Sequence, residues 1–388
     1  MKRVFFVPVV ALLKILVGCL RLDSFWVLWR RPSIPIRSET AKSRLFLLIE
    51  ILGCIATLSS WYIRKELSVR IGIFYCGSML SGAFSGLIAA GITNNMDGSR
   101  GLRAWRWLFI IEGSVTVAIA LVAIFILPDF PANTKWLTDQ ERQMAMWRLE
   151  RDAAGEEDWV SSSQQPLFDG FKQIMKDPKN WILVVIVYGA ASSISINSFF
   201  PTVVASFGRS RTETLLLTAP PYLLACIVCG LVSWSADRTN ERYWHTVGPL
   251  AASLIGFVIA CATEGIGPRY FGAMIMLPGI YTGFSLSITW VANTIYRPAS
   301  KRAAAVAFNN AFSTLCSIYG SYLYPSNASP RFVLAFSVNA GMALMAIIAS
   351  TVLHFVLKRE NRKLDMQERE AERAGQGVAV GKGFRYLI

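Results

Sequence analysis

Two carboxylates lie inside otherwise apolar stretches. Glu112 falls in the run from Leu108 to Leu127, and Glu50 interrupts a weaker run at 45–62. A charge at the centre of a bilayer costs on the order of 2.5–3.5 kcal/mol, so such an acid is kept for a partner or for a proton. Glu112 sits roughly 7–8 Å inside the edge of its run at about 1.5 Å per residue. Arg106 at the rim could snorkel towards it, and Arg103 is available from the adjoining joint. The favoured reading for Glu112 is a structural ion pair, with proton coupling as the other. Glu50, deeper in its segment, is the better proton-coupling candidate. A second set is charged and lies at a segment end: "SWSADRTNER" places Asp237 beside Arg238 and Arg242. An acid between two guanidinium groups there can form an interhelical ion pair that breaks when helices rock; ordinary solvated loop charge is the alternative. The third set is neutral: Tyr188, Asn197 with Ser198, Tyr222, Trp290 with Asn293, and Asn309 with Asn310. Intramembrane polar groups face a cavity or a partner. Singly these are interhelical hydrogen bonds; together they can line an aqueous substrate pathway.

Other chemistries lack their residues. The seven cysteines all fall in apolar runs, and the Cys226–Cys229 pair reads as small apolar packing. His245 and His354 stand at run ends with no acid or thiol nearby, so neither a metal site nor a cofactor is expected. The spacing shows no phosphate-binding loop, nucleophile elbow or paired-acid motif, and gives no positive case for an enzyme.

The elements that must carry these residues follow from the hydrophobic pattern. Of 388 residues, 53% are hydrophobic and 16% charged, arranged in apolar blocks long enough to cross a hydrocarbon core of roughly 30 Å. Only helices satisfy their backbone within one segment in lipid. The fold class is therefore all-α, a polytopic helical membrane protein. Clear spans are expected at 71–92, 107–127, 181–203, 215–236, 246–263, 270–294, 303–324 and 332–356. The segment at 45–62 is weaker, and the one at 4–20 is short and carries Lys14. That last segment also has the Met-Lys-Arg start of a secretory signal and a lipoprotein-like "LVGC", both opposed by Lys14.

Lys and Arg concentrate on alternate joints, notably the loop from Lys135 to Lys179 and the tail from Lys358. This places the central loop and the C-terminal tail in the cytoplasm. The formal charge of +14 is largely this asymmetry, and no nucleic-acid partner is implied. The basic residues of the first 44 positions break the rule and stay anomalous. The expected organisation is an anomalous 1–44, a partial bundle at 45–127, a cytoplasmic loop at 128–180, a six-helix bundle at 181–356 and a tail at 357–388. Within the loop, Thr138 and Glu141 form a capping-box pattern. Leu167, Phe168, Phe171, Ile174 and Met175 form an amphipathic face suited to the cytoplasmic membrane surface. Gly82 with Gly86, and Gly279 with Gly283, have the GxxxG spacing of close helix contacts. Asn327 in "NAS" is expected in a short outer loop.

The stretches "WYIRKELSVRIGIFYCGSMLSGAFSGLIAAGI", "MDGSRGLRAWRWLFIIEG" and "LPDFPANTKWLTDQER" resemble the fungal branch of the major facilitator superfamily. The later "YRPASKRAAAVAFNNAFSTLCSIYGSYLYP" and "SPRFVLAFSVNAG" fit the same family. Within it the chain, from about Ser59 to Asp365, resembles anion:cation symporters such as the allantoate, nicotinate and pantothenate permeases. The resemblance implies a C-terminal six-helix bundle facing an incomplete N-terminal one, in a plasma-membrane transporter. Its partners would be a small organic anion, protons and the lipid bilayer. It also aligns "SWSADRTNER" with a cytoplasmic signature loop, with Ser233 where glycine is usual, and Glu50 with an acid of the fourth helix. Family members have twelve spans, and the first three are expected to be missing here. Proton-coupled symport therefore stands beside the alternative of a truncated, non-transporting or receptor-like paralogue that is poorly stable alone.

Overall fold

The computed structural model describes residues 61–63, 66–126, 137–152, 167–205, 208, 211–295, 299–320, 322–325, 331–374 and 385–387. The described residues are helices and short connections, with no strand among them. In chain order the helices are α1 (Leu67–Asn95), α2 (Ala104–Ile126), α3 (Asp139–Asp152), α4 (Leu167–Lys176), α5 (Pro178–Ile194), α6 (Phe200–Ala205), α7 (Arg211–Thr239), α8 (Tyr243–Ala262), α9 (Ile266–Thr294), α10 (Ala299–Thr314), α11 (Cys316–Gly320) and α12 (Val333–Ala374). Each of the eight clear spans read from the sequence coincides with one of these helices or with a helix pair. Among the described residues, five passages are long and apolar enough to cross a membrane: Pro178–Asn197, Leu216–Thr239, Tyr243–Ala262, Ile266–Thr294 and Val333–Glu370. The chain is an all-α, multi-pass membrane protein. Glu50, the weaker segment at 45–62, the segment at 4–20 and Asn327 lie outside the described residues.

Local chemistry fixes where helices start. In "MDGSRGLRAW", Gly98 turns the chain at φ 78°, where a Cβ is disfavoured, and Asp97 Oδ1 accepts the Ala104 N–H at 2.8 Å. That carboxylate satisfies a free donor at the start of α2. Thr138 and Glu141 form the expected reciprocal cap, with the Glu141 N–H donating to Thr138 Oγ1 at 3.3 Å and the Thr138 N–H to Glu141 Oε2 at 3.1 Å. α5 opens with Pro178 at its first position and Asp177 capping the Lys179 N–H at 3.0 Å.

α9 is the hub. Nearly every residue from Gly272 to Thr294 is buried, whereas α8 and α12 expose Ile255, Val258, Leu334, Ile348, Val352 and Phe355 on outer faces suited to lipid. α9 packs on α1, α5, α7, α8 and α10, while α12 closes the group against α5 and α8. The α8–α9 contact runs backbone to backbone. A Cβ on Gly256 would sit 2.8 Å from the Gly272 carbonyl oxygen, and one on Gly279 would sit 2.4 Å from that of Pro249. The packing reading of Gly279 and Gly283 therefore holds; the surroundings of Gly82 and Gly86 are not among those described.

The amphipathic helix read from the loop forms as α4, and part of its apolar face meets protein. Ile174 is fully buried, and Phe171 meets the Phe308 ring edge-on at 5.8 Å. A Cβ on Gly170 would strike the Ser300 carbonyl oxygen at 2.6 Å. α4 thus lies on the start of α10 through Gly170 and Phe171, with Ile174 buried beneath it. Phe171 and Met175 keep part of their surface exposed.

Candidate functional site

Two arrangements involve the expected residues: a charged joint at the end that carries the basic loops, and polar groups distributed through the helices. At the joint, Asp237 stands in the last turn of α7, where the partial negative charge of the helix end disfavours an acid. Two donors offset that. The Val69 N–H, in the first turn of α1, donates to Asp237 Oδ2 at 2.8 Å, and Arg242 Nη2 donates to Asp237 Oδ1 at 2.8 Å. One carboxylate thereby ties the positive end of α1 to the α7–α8 corner. Arg242 has no exposed surface; burial pushes its pKa down, and the Asp237 charge opposes that shift. The sequence reading grouped Arg238 with this pair, and the structure corrects it. Arg238 is exposed, with its guanidinium over the Trp234 ring at 5.4 Å, because successive helical residues point in different directions.

The same contact explains Ser233, the serine at a usual glycine position. It is fully buried, and a Cβ on Gly72 of α1 would lie 2.5 Å from its Oγ. The small residue required for close approach stands on α1 instead of α7. One turn further on, Cys76 Sγ donates to the Cys226 carbonyl at 3.4 Å, and Cys229 is buried, as packing thiols should be. Beside the joint, Arg148 of α3 pairs with Glu66 at 3.1 Å, so the central-loop helix docks at the start of α1.

The polar residues divide into several groups. Pro201 has no N–H to offer the carbonyl four residues back, and the α5 passage breaks into a 3-10 turn over Ser195–Phe199 before α6. Asn197 sits in that break, and the Tyr222 hydroxyl donates to its Oδ1. Tyr281 of α9 lies 6.2 Å from Tyr222 between ring centroids. Interrupted helices offer free backbone groups and helix-end dipoles to a solute. The Ser198 side chain is outside the described residues. Tyr188 is half-buried and stacks obliquely on Tyr319 at 6.5 Å, and Tyr319 shares a 2.5 Å hydrogen bond with Ser192. Asn309 donates to Asn180 Oδ1 at 2.9 Å and to the Ala305 carbonyl at 2.8 Å, which makes it an interhelical tie. Asn310 accepts from Ser313 Oγ at 3.4 Å, while its amide nitrogen is buried without a hydrogen-bond partner among the described residues.

Asn293 and Trp290 differ in kind. Both are fully or almost fully buried, yet neither amide atom of Asn293 nor the indole N–H of Trp290 has a partner among the described residues. Burying such groups unpaired costs roughly 1–3 kcal/mol each, which a bound solute or water would offset. Glu112 is 3% exposed, and Thr116 beside it donates to its carbonyl at 2.7 Å. The expected pairing with Arg106 is corrected: Arg106 is exposed, with its guanidinium 5.3 Å from the Trp105 ring centroid. The sequence reading did not single out the Val69 N–H, Tyr281, Asn180, Tyr319 or Ser192. Tyr281 and Ser192 were nonetheless visible as polar side chains within apolar runs.

The comparisons agree with this architecture. Residues 49–321 match the family model described as Major Facilitator Superfamily. The chain is 33% identical over 357 residues to the MFS-type transporter cnsO of Penicillium expansum, covering 87% of this chain and 68% of that one. It is 30% identical over 319 residues to the MFS transporter prlL of a fungal species, covering 80% and 62%. It is 31% identical over 309 residues to an uncharacterized transporter of Schizosaccharomyces pombe, covering 79% and 62%. This chain therefore spans about two thirds of the length of these relatives. Among solved structures, the proton:xylose symporter XylE bound to 6-bromo-6-deoxy-D-glucose superposes with a TM-score of 0.59 at 15% identity, covering 89% of this chain and 79% of that one, a likeness of fold. Family model, relatives and helical architecture converge: the chain belongs to the major facilitator superfamily.

Proposed function

We propose that this chain works as a secondary active transporter, moving a small organic anion together with protons by alternating access. The observation that carries the reading is Asp237, held at once by the start of α1 and by buried Arg242. A carboxylate shared between two helix groups is a contact that can be made in one access state and lost in the other. The basic end, taken as cytoplasmic, is then closed here. Asn197, Tyr222, Asn293 and Trp290 line the pathway, with Tyr188 and Asn310 beside it and Asn309 as a structural tie. Glu112 and Glu50 are the carboxylates offered to the proton. The anion preference rests on the resemblance of the signature stretches to the anion:cation symporters.

A second reading is favoured by Asn293 and Trp290, whose unpartnered atoms are uncharged donors and an acceptor. They suit a neutral polar solute as well as a carboxylate. The deciding experiment is reconstitution into liposomes loaded with a pH-sensitive dye and challenged with small carboxylates, vitamins and neutral amides. Proton entry that requires an added carboxylate supports anion symport, and entry that requires a neutral solute supports the second reading. Folded protein that moves no protons with any member of such a panel would remove the symport reading.

A further inference from the structure

After α12 the chain returns to the molecule, and residues 385–387 lie against the extension of that helix and the start of α5. Asn361, Asp365 and Glu368 are spaced four and three residues apart, so they share one face of α12. Each reads a different part of the returning segment. The Asn361 amide takes both backbone groups of one residue: the Tyr386 N–H donates to its Oδ1 at 2.9 Å, and its Nδ2 donates to the Tyr386 carbonyl at 3.0 Å. Arg385 forks across the two acids, with Nε donating to Asp365 Oδ1 at 2.6 Å and Nη2 to Glu368 Oε2 at 2.5 Å. Lys179 reads the aromatic ring. Its Nζ donates to the Tyr386 hydroxyl at 3.1 Å and lies 4.7 Å from the ring centroid.

We propose that this face is a peptide-recognition site for an arginine followed by an aromatic residue, and that Arg385–Tyr386 occupies it as a releasable intramolecular latch. The pattern separates the site from a chance surface contact. A backbone-reading amide fixes register, a pair of carboxylates selects a guanidinium, and a lysine selects an aromatic side chain. The latch also reaches into the bundle. Tyr386 packs against the main hydrophobic core, and Lys179 neighbours Asp177, whose other oxygen takes Lys301 of α10 at 2.8 Å. An occupied site therefore joins the basic ends of α5, α10 and α12 through one chain of contacts, and a vacated site frees the α12 extension.

Release is within reach of cellular control. Arg385 and its acids are partly exposed, so salt screens them. Because Arg385 and Tyr386 belong to the same chain as Asn361, a partner presenting the same dipeptide must outcompete an intramolecular ligand, by concentration or by additional contacts. This inference does not depend on the transported solute, and its test does not use transport.

Hydrogen exchange of the whole protein in lipid nanodiscs, read by mass spectrometry on the C-terminal fragment, reports whether the Tyr386 N–H is held. Wild type is expected to protect it at least tenfold relative to Asn361→Ala and to Arg385→Glu. Combining Arg385→Glu with Asp365→Arg and Glu368→Arg is expected to restore protection, which mere damage to either element could not do. A synthetic peptide of residues 381–388, added at millimolar concentration, is expected to accelerate exchange, and its arginine-to-glutamate version is not. Exchange of Tyr386 in wild type at the rate of an unstructured peptide would overturn the proposal, as would a charge reversal that leaves the segment unprotected.

Discussion

The Asp237 carboxylate carries more than one duty, and its neighbours set what its loss does. Arg242 is fully buried, so removing Asp237 takes away the carboxylate that it pairs with inside the protein. Breaking a buried pair this way costs about 3–5 kcal/mol, and Asp237→Ala is expected to lower the thermal midpoint in detergent accordingly. Asp237→Asn keeps an acceptor for the Val69 N–H but drops the charge, so it should destabilise less and favour the state open at the basic end. Ser68, adjacent to Val69 and fully buried, offers the readout. A Ser68→Cys reporter should react faster with a water-soluble maleimide when Asp237→Asn is present, and an unchanged labelling rate would argue against gating. In the pathway, Asn293→Ala removes two unpartnered buried atoms. It should leave the thermal midpoint unchanged or raised while increasing KM in the liposome assay. A fall in stability with KM intact would make Asn293 a structural residue.

At the scale of helices, glycines divide sharply by what faces them. Gly279→Ala drives a Cβ to 2.4 Å from the Pro249 carbonyl and should cost about 1–3 kcal/mol through overpacking. Gly248, in α8, faces open space: nothing lies within 4 Å of where a Cβ would stand, so Gly248→Ala should be neutral or stabilising by up to about 1 kcal/mol. Thermal unfolding of the two variants tests this, and equal shifts would mean that the seam is not tightly packed. The helices were legible because spans of apolar residues and cap residues such as Thr138 and Glu141 are local signals. The seam was only half legible: Gly279 and Gly283 announce themselves by spacing, but their partners Pro249 and Leu250 do not. The site was less legible still. Tyr222 and Asn197 were identifiable as polar residues in apolar runs, whereas their meeting depends on the break at Ser195–Phe199. Arg106 and Arg238 show why proximity in sequence misleads. Each guanidinium finds an aromatic face nearby, Trp105 or Trp234, and leaves the acid it was expected to serve.

Across the whole molecule, the distribution of Lys and Arg predicts that the loop around Trp159 and the chain beyond Lys358 face the cytoplasm. Epitope tags placed at 160 and after 380 should be reached by antibody only once cells are permeabilised; staining of intact cells would invert the topology. The α8–α9 seam has a mechanical consequence at this scale. Where Gly256 meets Gly272 and Gly279 meets Pro249, main chain bears on main chain, with no side-chain rotamers in between to absorb shear. That pair is therefore the stiff plate of the structure. The α1–α7 contact instead sets the Ser233 side chain opposite Gly72, with Cys76 bonded to the Cys226 carbonyl and Asp237 accepting the Val69 N–H at its end. Under load the α1–α7 joint, where Gly72 meets the side chain of a serine rather than main chain, is the seam expected to yield first.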